Sequence, residues 1–183
     1  LMPRLVPEAW MPQVNPGQIR RIIVHWSGGA NFPSAEDFSS YNILCDRVGH
    51  LHLGDHPITD QISTADDDYA AHTRGLNTGS IGFAYCGMAG ANERPSAPGP
   101  YPIQKAQWNS GLVALADLCR RYDFPPLPKF LCMHCEAPSV HGVSQKNKWD
   151  VSVLYFDRGR WAGLTPGEEM RARVAILLSQ ADE

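Results

Sequence analysis

The seven histidines of this 183-residue sequence (His25, His50, His52, His56, His72, His134 and His141) are its best candidates for metal or acid–base chemistry. Imidazole titrates near neutrality and is the commonest metal ligand among side chains. Most of the seven are expected to be ordinary surface or core residues. His25 and His134 stand apart, because each closes a short apolar run, RIIVHW and KFLCMH, and open α/β sheets gather their sites outside strand ends. A catalytic zinc needs three N, O or S ligands and one open position for water. Two imidazoles and a carboxylate leave such an ion net positive, able to acidify water and polarise a carbonyl. Asp150 is taken as that carboxylate, although by spacing alone it differs in nothing from an ordinary solvated acid.

The elements that must carry these residues can be read from local pattern. RIIVHW (21–26) is rich in β-branched residues and stops at SGG, which predicts a short buried strand. Ser34 followed by Glu36 and Asp37 predicts a helix start running to about Tyr41. YNILC (41–45) and HLHLG (50–54) flank DRVG and read as a β-hairpin, and SIGFAYCG (80–87) as another buried strand. Trp108, Leu112, Leu115, Cys119 and Tyr122 recur at helical spacing between Ile103 and Tyr122. PPLPKFLCMHC (125–135) reads as a rigid connection into a strand, and Thr165, Pro166 and Glu168 open a last helix. Strands alternating with helices predict a single α/β domain on a mixed central sheet. Residues 1–18, with four prolines, are expected to be an extended arm on a catalytic domain spanning 19–183.

Composition removes several classes of partner. A net charge of −3 with no run of basic residues gives no footprint for nucleic acid. No segment reaches the roughly 18 apolar residues of a membrane span, and the N-terminal stretch lacks the apolar core of a signal peptide. Synthesis in the cytoplasm and action elsewhere after release are therefore expected, with a monomer as the working state. Five cysteines, an odd number, read as reduced thiols. Cys132 and Cys135 have the C-x-x-C spacing of zinc ribbons and redox motifs, but a ribbon needs a second pair and a redox site should open a helix. Both are expected to be small core thiols, with strand alternation setting His134 opposite Met133 and Cys135.

In this order, IIVHWSGG, SYNILCDRVG, HTRGLNTGSIG, HCE and KWD resemble the N-acetylmuramoyl-L-alanine amidase family that includes phage amidase-type lysozymes and peptidoglycan recognition proteins. The resemblance spans about residues 21–155. It implies one zinc ion per chain held by His25, His134 and Asp150, with peptidoglycan or muropeptide as the partner. It implies that Tyr41 points at the zinc-bound water and that Lys148 stabilises the oxyanion, a task suited to a fixed cation in a low-dielectric site. His72 would line the groove, with Arg74, Asn77 and Glu136 as further substrate contacts. The implied reaction is hydrolysis of the amide between N-acetylmuramic acid and L-alanine, as in a phage or prophage endolysin. A recycling amidase and a non-cutting recognition module are the alternatives.

The chain departs from the family pattern at two places. Ala84 stands where relatives carry a glutamate in the strand after SIG, which moves the acid–base burden to Tyr41 and the zinc-bound water. The step from His134 to Asp150 is also extended by PSVHGVSQKN. His141, inside that segment, is expected to be a surface loop residue, and it is the replacement ligand should Asp150 not serve.

Overall fold

The computed structural model describes residues 4–93, 97–156 and 161–180. They form a single α/β domain around a five-stranded mixed sheet. The strands are β1 (Arg21–Trp26), β2 (Ile43–Cys45), β3 (Leu51–Leu53), β4 (Ser80–Tyr85) and β5 (Leu131–Met133), in the spatial order β3-β2-β4-β1-β5. Only the β2–β3 hairpin is antiparallel. The helices are α1 (Ala35–Ser40), α2 (Lys105–Tyr122), α3 (Ala137–His141) and α4 (Pro166–Ser179). No helix among the described residues is long and apolar enough to cross a membrane.

β1 and β4 lie at the centre of the parallel part and are buried along almost their whole length. Near-continuous apolar runs are what such strands require. Alternation then divides their side chains between two faces. Ile22, Val24 and Trp26 of β1 and Ile81, Phe83 and Tyr85 of β4 join the main core with Trp108, Leu112 and Leu115 of α2 and Met170 and Val174 of α4. On the other face Leu44, Ala84 and Cys86 form a small second cluster covered by Phe38 and Tyr41. His25 points to this second face, with Ala84 as its register partner. The strand period therefore delivers the imidazole to the thinly covered side of the sheet.

The expected elements form where their local chemistry directs. Ser34 caps α1 with Asp37 as the reciprocal partner, and Thr165 does the same for α4 with Glu168. α2 begins at Lys105, two residues inside the predicted segment, because Gln104 provides the cap. Helices α2 and α4 are clamped by a buried carboxylate: Glu169 accepts from Trp108 Nε1 at 3.3 Å and from Arg173 at 3.2 Å. The N-terminal residues run back along α2. Leu5 and Val6 donate backbone N–H bonds to Asp117 at 2.7 and 3.0 Å, and Arg121 and Tyr122 bond the carbonyls of Met11 and Pro12. One expectation needs correcting here. β5 ends at Met133, and His134 and Cys135 belong to a short helical turn, so strand alternation does not govern their directions.

Gly111 of α2 sits where the helix crosses the sheet, and a Cβ there would collide with the ring and hydroxyl of the fully buried Tyr85. Overpacking of this kind typically costs about 1–3 kcal/mol. Gly111→Ala is therefore expected to lower the denaturant midpoint of unfolding, despite alanine's better helix propensity. An unchanged or raised midpoint would show that Tyr85 moves aside freely.

Candidate metal centre

Three side chains from three separate segments meet at the C-terminal end of the parallel strands. His25 leaves the end of β1, His134 opens the turn after β5, and Asp150 arrives from the segment beyond α3. All three are buried, at 1%, 2% and 6% exposure. Asp150 is held in place from both sides of the chain. Its carbonyl accepts from the backbone N–H of Cys135 at 2.6 Å, and the neighbouring Trp149 packs edge-on against Trp26 at 4.7 Å. These contacts bring the carboxylate back across the 16-residue step to His134.

Asp150 Oδ2 lies 3.1 Å from His25 Nδ1 and 3.2 Å from His134 Nδ1. Bonds of about 2.0–2.1 Å at tetrahedral angles put ligand atoms about 3.3 Å apart, so the spacing fits one shared ion. Burial pushes the His25 imidazole down to about 4, against the opposing pull of Asp150. It is neutral at pH 7. Burial disfavours the Asp150 carboxylate; N–H bonds donated by His134 and His25 would hold it well below the usual carboxylate range, and a cation in place of those two protons would do the same.

The partners behind each ring decide which nitrogen carries its proton. His72 Nε2 faces the Ser80 carbonyl at 3.1 Å, and a carbonyl can only accept, so this nitrogen is N–H. Burial, then the nearby His25, keeps His72 neutral. Its Nδ1 is therefore an acceptor, and at 3.1 Å it faces His25 Nε2, which must be the donor if two lone pairs are not to oppose each other. Thr73 Oγ1 flanks the pair, 2.9 Å from His72 Nδ1. On the other ring, His134 Nε2 meets Gln145 Oε1 at 2.8 Å, while the Gln145 amide nitrogen donates to the Arg74 carbonyl at 2.8 Å. His134 Nε2 is likewise N–H. With those outer protons in place, both Nδ1 atoms turn lone pairs toward Asp150 Oδ2. Three such atoms converging on one point make an N,N,O set that fits a divalent metal.

The remaining candidate residues divide. Tyr41, Lys148 and His72 line the cavity that holds the three ligand atoms. Tyr41 follows α1 and sets its ring 5.2 Å from that of His25, and Lys148 is exposed at the edge. Asn77 accepts from the backbone N–H groups of His72 and Thr73 at 3.0 and 2.8 Å, bracing their loop rather than meeting the cavity. Arg74 is exposed, and it is its carbonyl that reaches Gln145. Glu136, expected as a substrate contact, is taken up elsewhere: Arg171 of α4 grips both its oxygens at 2.8 Å, and it accepts from Met133 N. It ties the His134 turn to α4. His141 ends α3 in a half-buried position and lines a different cavity, so it is neither a loop residue nor a replacement ligand. Cys132 and Cys135 carry free thiols that burial pushes up to about 12.

Sequence reasoning passed over Gln145, Thr73 and Ser80. A polar residue in a Gly- and Ser-containing loop carries no periodic signal. The one available clue was that a ligating histidine needs a partner for its second nitrogen.

Residues 15–152 match the family model described as N-acetylmuramoyl-L-alanine amidase, and the chain belongs to that family. No curated protein matches it in sequence. Among solved structures it is similar to the N-acetylmuramoyl-L-alanine amidase LysC from Clostridium intestinale URNW, with 14% identity, a TM-score of 0.54 and coverage of 86% of each chain. The endolysine LysCS from the same organism aligns over 93% of each chain at 13% identity and a TM-score of 0.53. AmiD from E. coli, solved with anhydro-N-acetylmuramic acid-L-Ala-D-gamma-Glu-L-Lys, aligns at 15% identity and a TM-score of 0.54, over 88% of this chain and 60% of AmiD. At these identities the likeness is one of fold.

Replacing the partner of a metal-bound histidine typically costs 10–100-fold in affinity. Gln145→Ala is expected to weaken retention of a divalent metal by about that factor in a chelator competition, with the fold intact by circular dichroism. Unaltered retention would remove Gln145 from the support of the centre.

Proposed function

We propose that the chain is a zinc-dependent hydrolase that cuts the amide between N-acetylmuramic acid and L-alanine in peptidoglycan. The observation that carries this reading is the convergence of the His25, His134 and Asp150 lone pairs in an open cavity of about 150 Å³. Three ligands with room for a further group are the pattern of a catalytic zinc rather than a structural one. A recognition module has no need of that convergence.

When bound, zinc supplies Lewis acidity that lowers the pKa of water and polarises a carbonyl. The chain's own residues supply the rest. Burial, with the Asp150 charge nearby, pushes the Tyr41 phenol up, so it keeps its proton at neutral pH. It serves as a hydrogen-bond donor that orients groups at the cavity, not as the base. Lys148 brings a cation to the cavity edge two residues before Asp150, suited to the charge that develops on the scissile carbonyl oxygen. The edge-on Trp26–Trp149 contact holds the segment that carries Lys148 and Asp150 against the end of β1. Membership of the amidase family supports the bond assigned, and the endolysine LysCS among the fold relatives supports action on a bacterial wall, as in a phage or prophage endolysin.

The test is incubation of the zinc-loaded protein, with and without chelator, on purified sacculi and on a soluble muropeptide, followed by mass analysis. Free stem peptide beginning with L-alanine, lost on chelation, is expected. Cuts between sugars or within the peptide would refute the assignment. Lys148→Ala is expected to lower kcat by about 10²–10³ with metal content unchanged, the scale of losing one oxyanion contact.

A further inference from the structure

The opposite end of the sheet carries a second and larger cavity, of about 620 Å³. It lies where β1 and β5 begin, roughly 13 Å along β1 from His25 at the usual strand rise. The N-terminal residues, the C-terminal end of α2 and the last residue of α3 close it. Its size is that of a pocket for a small organic ligand.

Its charge is out of keeping with the chain. The protein as a whole is net negative, at −3, yet Arg20, Arg21, Arg121 and Lys129 line this cavity against the single carboxylate of Asp123. Arg121 is engaged, donating to the Met11 carbonyl at 2.8 Å with Glu8 3.9 Å away. Among the described residues Arg20 and Arg21 hydrogen-bond the Thr78 carbonyl, and Arg21 also the Ser80 hydroxyl. Lys129 lies over the ring of Phe130 at 5.8 Å. Among the described residues none of Arg20, Arg21 and Lys129 has a carboxylate within ion-pair distance. His141 stands behind them, its Nε2 buried without a hydrogen-bond partner among the described residues, and burial, then the nearby Arg21 and Lys129, lowers its pKa. Tyr122, Phe124 and Phe130 supply an aromatic floor beneath these donors.

We infer that this cleft is a binding site for a phosphate monoester, the phosphate meeting Arg20, Arg21 and Lys129 while an apolar group lies on the aromatic floor. A phosphate monoester carries about −1.5 to −2 charges at pH 7 and three acceptor oxygens, which answers several converging cations better than the single charge of a carboxylate. Guanidinium forks match its oxygens geometrically. The site is separate from the metal centre, and its occupancy does not depend on which bond the enzyme cuts.

Calorimetric titration of the zinc-loaded protein with phenyl phosphate, inorganic phosphate and benzoate tests the inference. Phenyl phosphate is expected to bind one to one, more tightly than either other probe. The double variant Arg20→Gln/Lys129→Gln changes two exposed residues and is expected to lose about tenfold or more in affinity, with a shallower salt dependence. Lys148→Ala, at the other end of the sheet, is expected to bind as the wild type does. Absence of binding, equal binding of benzoate, or affinity that falls in Lys148→Ala and survives in the double variant would each overturn the proposal.

Discussion

Two imidazole nitrogens and one carboxylate oxygen converge within about hydrogen-bond distance of one another in a buried site, and the arrangement is at ease only with positive charge, proton or metal, between them. Much of the surrounding structure exists to enforce that unfavourable arrangement. Asp150 is ionised at 6% exposure, and an isolated charge so buried would normally be neutralised. The Cys135–Asp150 backbone bond and the Trp26–Trp149 contact keep it from swinging out. The two rings cannot relieve the conflict by exchanging tautomers, because the Ser80 carbonyl, through His72, and the Gln145 amide fix the outer protons. The preference of this triad for a cation is thus set by groups outside the triad itself.

His72 and Gln145 sit on loops, so the loops themselves need rigid anchorage. Asn42 and Gln61 provide it for the His72 loop. Asn42 accepts from Gly82 N at 2.8 Å and donates to the His56 carbonyl, and Gln61 bonds the backbone of Ala70 and Asn77. Both amides are fully buried, and buried polar groups that are satisfied in this way specify one loop path strongly. On the far side, the Glu136–Arg171 fork ties the His134 turn to α4. The centre is therefore braced from the sheet on one side and from the helical layer on the other.

This division explains what could be read from sequence. β1, β4, α2 and the Ser34 and Thr165 caps announce themselves through period and capping chemistry, which are local. His25 and His134 follow from the strand ends. Asp150 comes to the centre through a backbone bond and an aromatic contact distant in sequence, and only a family resemblance singled it out. Glu136 was misread because a motif fixes a residue's position but not its partner, and Arg171 lies 35 residues on. His141 and Cys135 were misread because the segment after β5 turns helical at once. Gln145 was invisible because hydrogen-bond complementarity to a histidine leaves no spacing rule.

Ala84 shows how a single position reshapes the chemistry. It is the register partner of His25 and is packed with Leu44 and Cys86 under Phe38 and Tyr41. A carboxylate there would be buried in an apolar cluster, on the strand directly beside the one carrying His25, close to a second buried carboxylate. Like charges so placed cannot both ionise at neutral pH. With alanine, Asp150 is the one carboxylate lining the cavity among the described residues, and Lys148 adds a positive charge at its rim. A divalent ion held by this set would keep half of its charge unneutralised. On the proposed function, the field of such a cavity would favour the deprotonation of water and the growth of charge on a carbonyl oxygen, so that alanine in place of a carboxylate proton acceptor would leave activation to electrostatics.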